Sequence, residues 1–224
     1  FAGIAAALET KSGKVAVVNG IAYPSNVNYQ YGFMSGVNYA KAKYDAKAEY
    51  VEIPSYAGTD VTNKNVGGNY IGNFSDEATG KVVGKALLDK GVDIMLVAAG
   101  GSGNGVFTAV KEAGDAQVIG CDVDQYDDGA NGDKNIILTS VLKVMHSNVE
   151  KQLEKVLDGS FKGENALLGA DTDSTGYVSA DGRQQLSRET LEKLADVYKK
   201  VQSGEIVPAA NFNNMTPDNF TGLK

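Results

Sequence analysis

Short apolar runs alternate with amphipathic stretches along the whole chain, and glycine or polar turn residues close most runs. FAGIAAALET reads as a helix. KVAVVNG (Lys14–Gly20) is a valine-rich run too short for a helix and reads as a strand. Val27, Tyr31, Met34 and Val37 then recur at helical spacing through NVNYQYGFMSGVNYAKAKY. AEYVEIPSY alternates as a strand does, and a loop rich in Gly and Asn covers residues 57–73. SDEATGKVVGKALLDKG reads as a helix whose Asp and Glu fall in the first turn, where they complement the helix dipole.

VDIMLVAAG, QVIGCDVD and NIILTSVLK supply three more strands. Between the first two lie a glycine-rich turn and a helix that carries Val106, Phe107 and Val110 inward. Further on, Val149, Leu153, Val156 and Leu157 share one helix face, and Leu191, Leu194, Tyr198 and Val201 share another. ENALLGADTDSTGYVSADG, between them, reads as one strand with turns. Strands separated by helices of this length imply βαβ units, so the expected class is α/β with a largely parallel sheet covered on both faces. Such sheets bind ligands at the carboxyl ends of their strands.

The turn AGGSGNG sits at such an end. Gly100 and Gly105 have the glycine spacing of a Walker A loop, but Val106 and Phe107 stand where Lys and Ser/Thr are required. Gly101 and Gly103 begin a dinucleotide pattern that Val106 breaks, although Asp122 and Asp124 follow about 20 residues on, as a ribose-binding acid would. On one reading the glycines only let the chain turn from strand into helix. On the other, a backbone without Cβ atoms lets a ligand come close, and free N–H groups at a helix start donate to its oxygens. Loop and Asp122 belong to one βαβ unit and share a rim, which favours a pocket that includes Gly101, Ser102 and Asp122.

Composition narrows the chemistry. With 21 Lys plus Arg against 28 Asp plus Glu the net charge is -7, and no basic stripe stands out, so nucleic acid is not an expected partner. No run approaches the roughly 18–20 apolar residues that span a bilayer. The chain opens at Phe1 without a methionine, inside a helix, and reads as a mature or trimmed fragment. Cys121 and His146 are single residues of their kind, so no intramolecular disulfide and no Cys- or His-cluster metal site is expected, and no cofactor either. Ser102 is not in a G-x-S-x-G elbow, and Asp127 and Asp128 read as a solvated turn, with calcium binding the lesser alternative because an EF-hand's closing Glu is lacking.

Several stretches together carry a more specific likeness. GNFSDEATGKVVGKALLDKGVDIMLVAAGGSGNGVFTAVKEAG, VIGCDVDQ, ILTSVLK and VLDGSFKGENALLG, in this order and spacing, resemble the basic membrane protein family, the substrate-binding lipoproteins of ABC importers that include purine nucleoside receptors. The resemblance implies a periplasmic-binding-protein type I fold: two α/β lobes that close on a ligand, with the N-terminal half of the first lobe outside this chain. Residues 13–142 would form the complete second lobe. Residues 1–12 and 143–224 would be remnants of the first lobe, hinge crossings and tail.

It further implies Gly101 beside a sugar and Asp122 on the ribose hydroxyls, with Lys143 joining them. Many relatives carry Phe where this chain has Leu96, and leucine offers apolar contact without a stacking face. Tyr29 matches an aromatic position in the helix after the first hinge. The implied protein is no enzyme: it captures a nucleoside, a purine one foremost, for ABC permease subunits, and is held at the membrane only by a lipid anchor not present in these residues. The alternatives are a sugar- or nucleoside-sensing regulator domain and a nucleoside-processing enzyme on a similar frame. A lipobox cysteine or a DNA-binding headpiece upstream of Phe1 would separate importer from regulator.

Overall fold

The computed structural model describes residues 1–224. In chain order the elements are helix α1 (Ala2–Glu9), strand β1 (Lys14–Asn19), helix α2 (Pro24–Tyr44), strand β2 (Glu49–Tyr50), the small hairpin β3 (Gly58–Thr59) and β4 (Asn65–Gly67), helix α3 (Glu77–Asp89), strand β5 (Ile94–Ala98), helix α4 (Gly103–Ala113) and strand β6 (Gln117–Asp122). A second small hairpin, β7 (Ala130–Asn131) and β8 (Lys134–Asn135), leads to β9 (Ile137–Lys143), α5 (Met145–Leu157), β10 (Thr175–Tyr177) and α6 (Arg188–Gln202).

Six strands form one sheet in the order β10-β9-β6-β5-β1-β2. All neighbouring pairs are parallel except β9 with β10. The chain runs from β1 to one edge and then returns to β5, so the strand order reverses between β1 and β5, the place where open α/β sheets bind ligands. AEYVEIPSY forms only the two-residue edge strand β2, because Pro54 lacks an N–H and opens a 3-10 turn there.

Alternation along the strands builds two cores. Val15 and Val17 of β1 and Ile94 and Leu96 of β5 face α1, α2 and α6, while Ala16, Val18, Met95 and Val97 face α3 and α4. Each fully buried Val, Leu or Ile here is worth roughly 1.5–3 kcal/mol relative to exposure. Helix α1 crosses α2 so closely that a Cβ on Gly3 would meet the Phe33 carbonyl. Helices α1 and α6 and the tail residues Ile206, Ala209 and Phe220 share the core on one face of the sheet. Helix α5 is the part that stands off, with no buried residue.

Candidate functional site

A cleft of about 480 Å³ opens at the carboxyl ends of β5, β6 and β9, beside the start of α2. Gly100 and Gly101 line it where β5 ends, Asp122 where β6 ends, Lys143 where β9 ends, and Tyr29 projects into it from α2. These are Gly101, Asp122, Lys143 and Tyr29 of the sequence expectation, brought together. Asn26 ties the first turn of α2 to β5, its Nδ2 donating to the Ala98 carbonyl at 2.9 Å.

Asp122 is the centre of this geometry. It has φ +69°, and the Val123 N–H donates to the Cys121 carbonyl at 2.9 Å, closing a three-residue turn around it. A γ-turn with positive φ at its centre is rare and strained, and Asp is one of the few residues with a side chain that tolerates the left-handed region. Its Oδ2 lies 3.1 Å from Lys143 Nζ. Its Oδ1 accepts from the Tyr29 hydroxyl at 2.7 Å and from the Cys121 thiol at 3.5 Å. Partial burial works against the carboxylate, but the Tyr29 hydroxyl and Lys143 outweigh it and hold the group below the usual carboxylate range. Burial pushes the Cys121 thiol up to about 12, so it is a neutral group at neutral pH.

The structure separates Leu96 and Ser102 from the others. Leu96 lies inside β5 with 2% exposure, and the parity of the strand turns it toward α1, α2 and α6. There it borders a second, mainly apolar cavity of about 240 Å³, with Tyr29 as the wall common to both spaces. Ser102 is fully buried. Its Oγ accepts from the Asp76 N–H at 2.8 Å and donates to the Asn73 carbonyl at 3.1 Å, while its N–H donates to the Phe74 carbonyl at 3.1 Å. Ser102 thus pins the loop ahead of α3 rather than presenting its hydroxyl to the cleft.

That loop carries Phe74, which the sequence reading did not single out. The ring lies so close over Gly20 that a Cβ there would collide with it, and it also lines the cleft beside Gly100 and Gly101. Phe107 of α4 and Gln125 after β6 are further lining residues that the sequence reading had not assigned to the site. The available signal for Phe74 was a lone aromatic in an otherwise polar stretch, N-F-S-D, immediately before a helix. A charged acceptor, an ammonium, bare main chain and an aromatic ring therefore surround one crevice. An acceptor and a donor about 3 Å apart suit two adjacent hydroxyls, and charge-assisted bonds are the stronger kind.

Comparison with known proteins agrees with this architecture. Residues 56–211 match the family model Bmp, described as ABC transporter substrate-binding protein PnrA-like. The chain is 32% identical over 226 residues to basic membrane protein D of Borreliella burgdorferi (strain JD1), covering 98% of this chain and 58% of the relative. It is 30% identical over 175 residues to the ABC transporter nucleoside-binding protein BmpA of Lactococcus lactis subsp. cremoris, covering 73% of this chain and 44% of that protein. The chain thus spans little more than half the length of the curated relatives it matches. In structure it resembles an ABC transporter solute-binding protein from Aeropyrum pernix K1 with a TM-score of 0.72 at 22% identity, over 95% of this chain and 64% of that one. A transcriptional activator of the comK gene from Bacillus halodurans shares the fold at a TM-score of 0.68 and 21% identity, over 91% of this chain and 61% of that one. The fold is the α/β, type I periplasmic-binding kind, and the chain belongs to the Bmp family of PnrA-like ABC transporter substrate-binding proteins.

Proposed function

We propose that these residues form the ligand-holding part of an extracytoplasmic solute-binding protein that captures a nucleoside, foremost a purine nucleoside, by lobe closure and delivers it to the permease subunits of an ABC importer. The observation that carries this reading is the Asp122–Lys143 pair, 3.1 Å apart at the tips of adjacent parallel strands and open to the cleft. Asp122 accepts from the two ribose hydroxyls, Lys143 donates to one of them, and Gly101 lets the sugar approach the main chain. Tyr29 aims the carboxylate, and Phe74 offers the ring face that Leu96 does not. No bond of the ligand is made or broken.

Membership in a substrate-binding family supports capture and delivery, and the Lactococcus relative, a nucleoside-binding protein by name, supports a nucleoside. On this reading the N-terminal half of the first lobe lies outside these residues, and a lipid anchor there holds the protein at the outer face of the membrane. Closure buries the ligand by a hinge motion between the lobes.

The test is calorimetric titration of the protein, at the length of its curated relatives, with inosine, guanosine, adenosine, cytidine and ribose. Purine nucleosides are expected to bind most tightly. Asp122→Ala should weaken inosine by at least about tenfold, since a hydrogen bond to a charged group is worth roughly 1.5–3 kcal/mol. Unchanged affinity in that variant refutes the clamp, and release of free base during the titration refutes a purely binding role.

A further inference from the structure

The strained turn at Asp122 needs something to hold it, because left-handed backbone at a residue with a side chain relaxes unless its surroundings over-determine it. Two fasteners hold the segment that follows. On the sheet side, Gln125 Oε1 accepts from the Cys121 N–H at 2.9 Å, and the Gln125 N–H donates to Ser140 Oγ at 3.1 Å. On the outer side stands a single guanidinium. Arg183 Nε donates to Asp124 Oδ2 at 2.7 Å, and its Nη1 and Nη2 donate to Asp127 Oδ1 and Oδ2 at 2.7 and 3.0 Å. The same guanidinium lies 5.3 Å from the centre of the Tyr126 ring. Asp124 passes the restraint inward, because its Oδ1 accepts from the Tyr126 N–H at 2.9 Å.

Arg183 is itself fixed. The flanking segment runs along the edge of β9, where the Val178 N–H donates to the Ser140 carbonyl at 2.8 Å and the Gln185 N–H to the Leu138 carbonyl at 2.7 Å. An isolated exposed ion pair contributes little, but a fork engaging two carboxylates and a ring from an anchored segment is the case in which such pairs hold geometry.

We propose that Arg183 is a positioning residue of the ligand site: from outside the cleft its guanidinium fastens the 123–128 turn and so keeps Asp122 in the left-handed conformation in which it meets Tyr29 and Lys143. Arg183 does not line the cleft. It acts on the ligand only through Asp122, and the proposal therefore rests on the reading that Asp122 grips the hydroxyls.

The experiment has a ligand-free arm and a ligand arm, both in the protein at the length of its curated relatives. In the first, the Asp122 carboxyl is titrated by carbon NMR in wild type and in Arg183→Gln. The variant should titrate at higher pH, because a relaxed turn loses the Tyr29 and Lys143 contacts, while its amide spectrum away from the turn stays folded. In the second, inosine and 2′,3′-dideoxyinosine are titrated into wild type, Arg183→Gln, Asp122→Ala and the double variant. Arg183→Gln should weaken inosine by about tenfold, the scale of a released backbone strain, leave the dideoxy ligand unchanged, and add nothing to Asp122→Ala. An unmoved Asp122 titration, equal losses for both ligands, or additive losses overturn the proposal while the clamp stands. No effect of Asp122→Ala on inosine overturns the clamp, and the proposal with it.

Discussion

The Tyr29 hydroxyl and Asp122 Oδ1 meet at 2.7 Å from positions 93 residues apart in the chain, joining α2 to the tip of β6. The bond fixes the carboxylate toward the cleft and helps keep it ionised. A hydrogen bond to a charged group is worth roughly 1.5–3 kcal/mol, and with 39% of the Asp122 side chain exposed solvent screening reduces this to about 1 kcal/mol. Tyr29→Phe should therefore lower the unfolding free energy by about 1 kcal/mol at pH 7.

The pH dependence of that difference has a definite sign. The folded Asp122 carboxyl lies below its ordinary value, so its stabilisation is present above the unfolded-state pKa of about 3.9 and is lost as pH falls through the folded value. Urea unfolding of wild type and Tyr29→Phe should differ by a constant amount from pH 5 to 8, and the difference should shrink progressively as the pH is taken down below the ordinary carboxylate value of about 3.9. A gap that does not shrink with falling pH would mean that the ionised carboxylate is not the partner that matters. Ligand affinity should follow the same profile, flat from pH 5 to 8 and falling at lower pH.

Phe74 tests which side of the ligand meets the aromatic wall. Its ring is held over Gly20 and its backbone carbonyl is taken by the Ser102 N–H, so the ring is presented to the cleft by a fixed loop. Stacking of a base on an aromatic ring is worth roughly 1–3 kcal/mol. Phe74→Leu should weaken inosine about fivefold or more and leave ribose unaffected, measured by the same calorimetry. Equal weakening of both would assign Phe74 to loop structure alone.

Cys121 makes a chemical prediction at the same centre. It is half-buried beside Tyr29 and Asp122, and burial first, with the Asp122 charge in support, raises the thiol to about 12. Thiolate is the reactive form. The folded protein should resist a disulfide reagent at pH 8 and react with one equivalent after unfolding in urea, followed by absorbance. Rapid labelling of the native protein would show that the β6 tip opens.

Much of this was legible in the chain because period and punctuation carry it. The valine-rich runs gave β1, β5, β6 and β9, and the glycine turn and Asp122 fell at strand ends, where an α/β sheet places a site. The neighbourhood of Asp122 was less accessible. That Leu96 faces the α1 side follows from strand parity only once its register is known, since a one-residue shift exchanges the two faces. Ser102 falls in the pocket loop by position, but its partners Asn73 and Asp76 sit in a loop whose path no local pattern gives. Arg183 carries no local signal in A-D-G-R-Q, and its meaning depends on Asp124 and Asp127, which adjoin it because residues 178–185 run along β9.

Helix α5 has a well-defined apolar stripe and nothing against it. Val149, Leu153 and Val156 lie on one face, and Leu153 is 58% exposed. In a helix of a folded domain such a stripe faces a core. On the reading that the chain returns to the first lobe after Lys143, the covering surface belongs to the part of the relatives' length that these residues do not span. The paired substitution Val149→Gln with Leu153→Gln separates the possibilities. In the 224-residue chain it replaces exposed side chains and should change stability by no more than about 0.5 kcal/mol. In the protein at the length of its relatives it places two amides in a core and should cost about 3 kcal/mol or more. Urea midpoints measured at both lengths decide it. Equal, small shifts would mean that α5 is a solvent-facing helix at either length and that the chain does not re-enter the first lobe through this face.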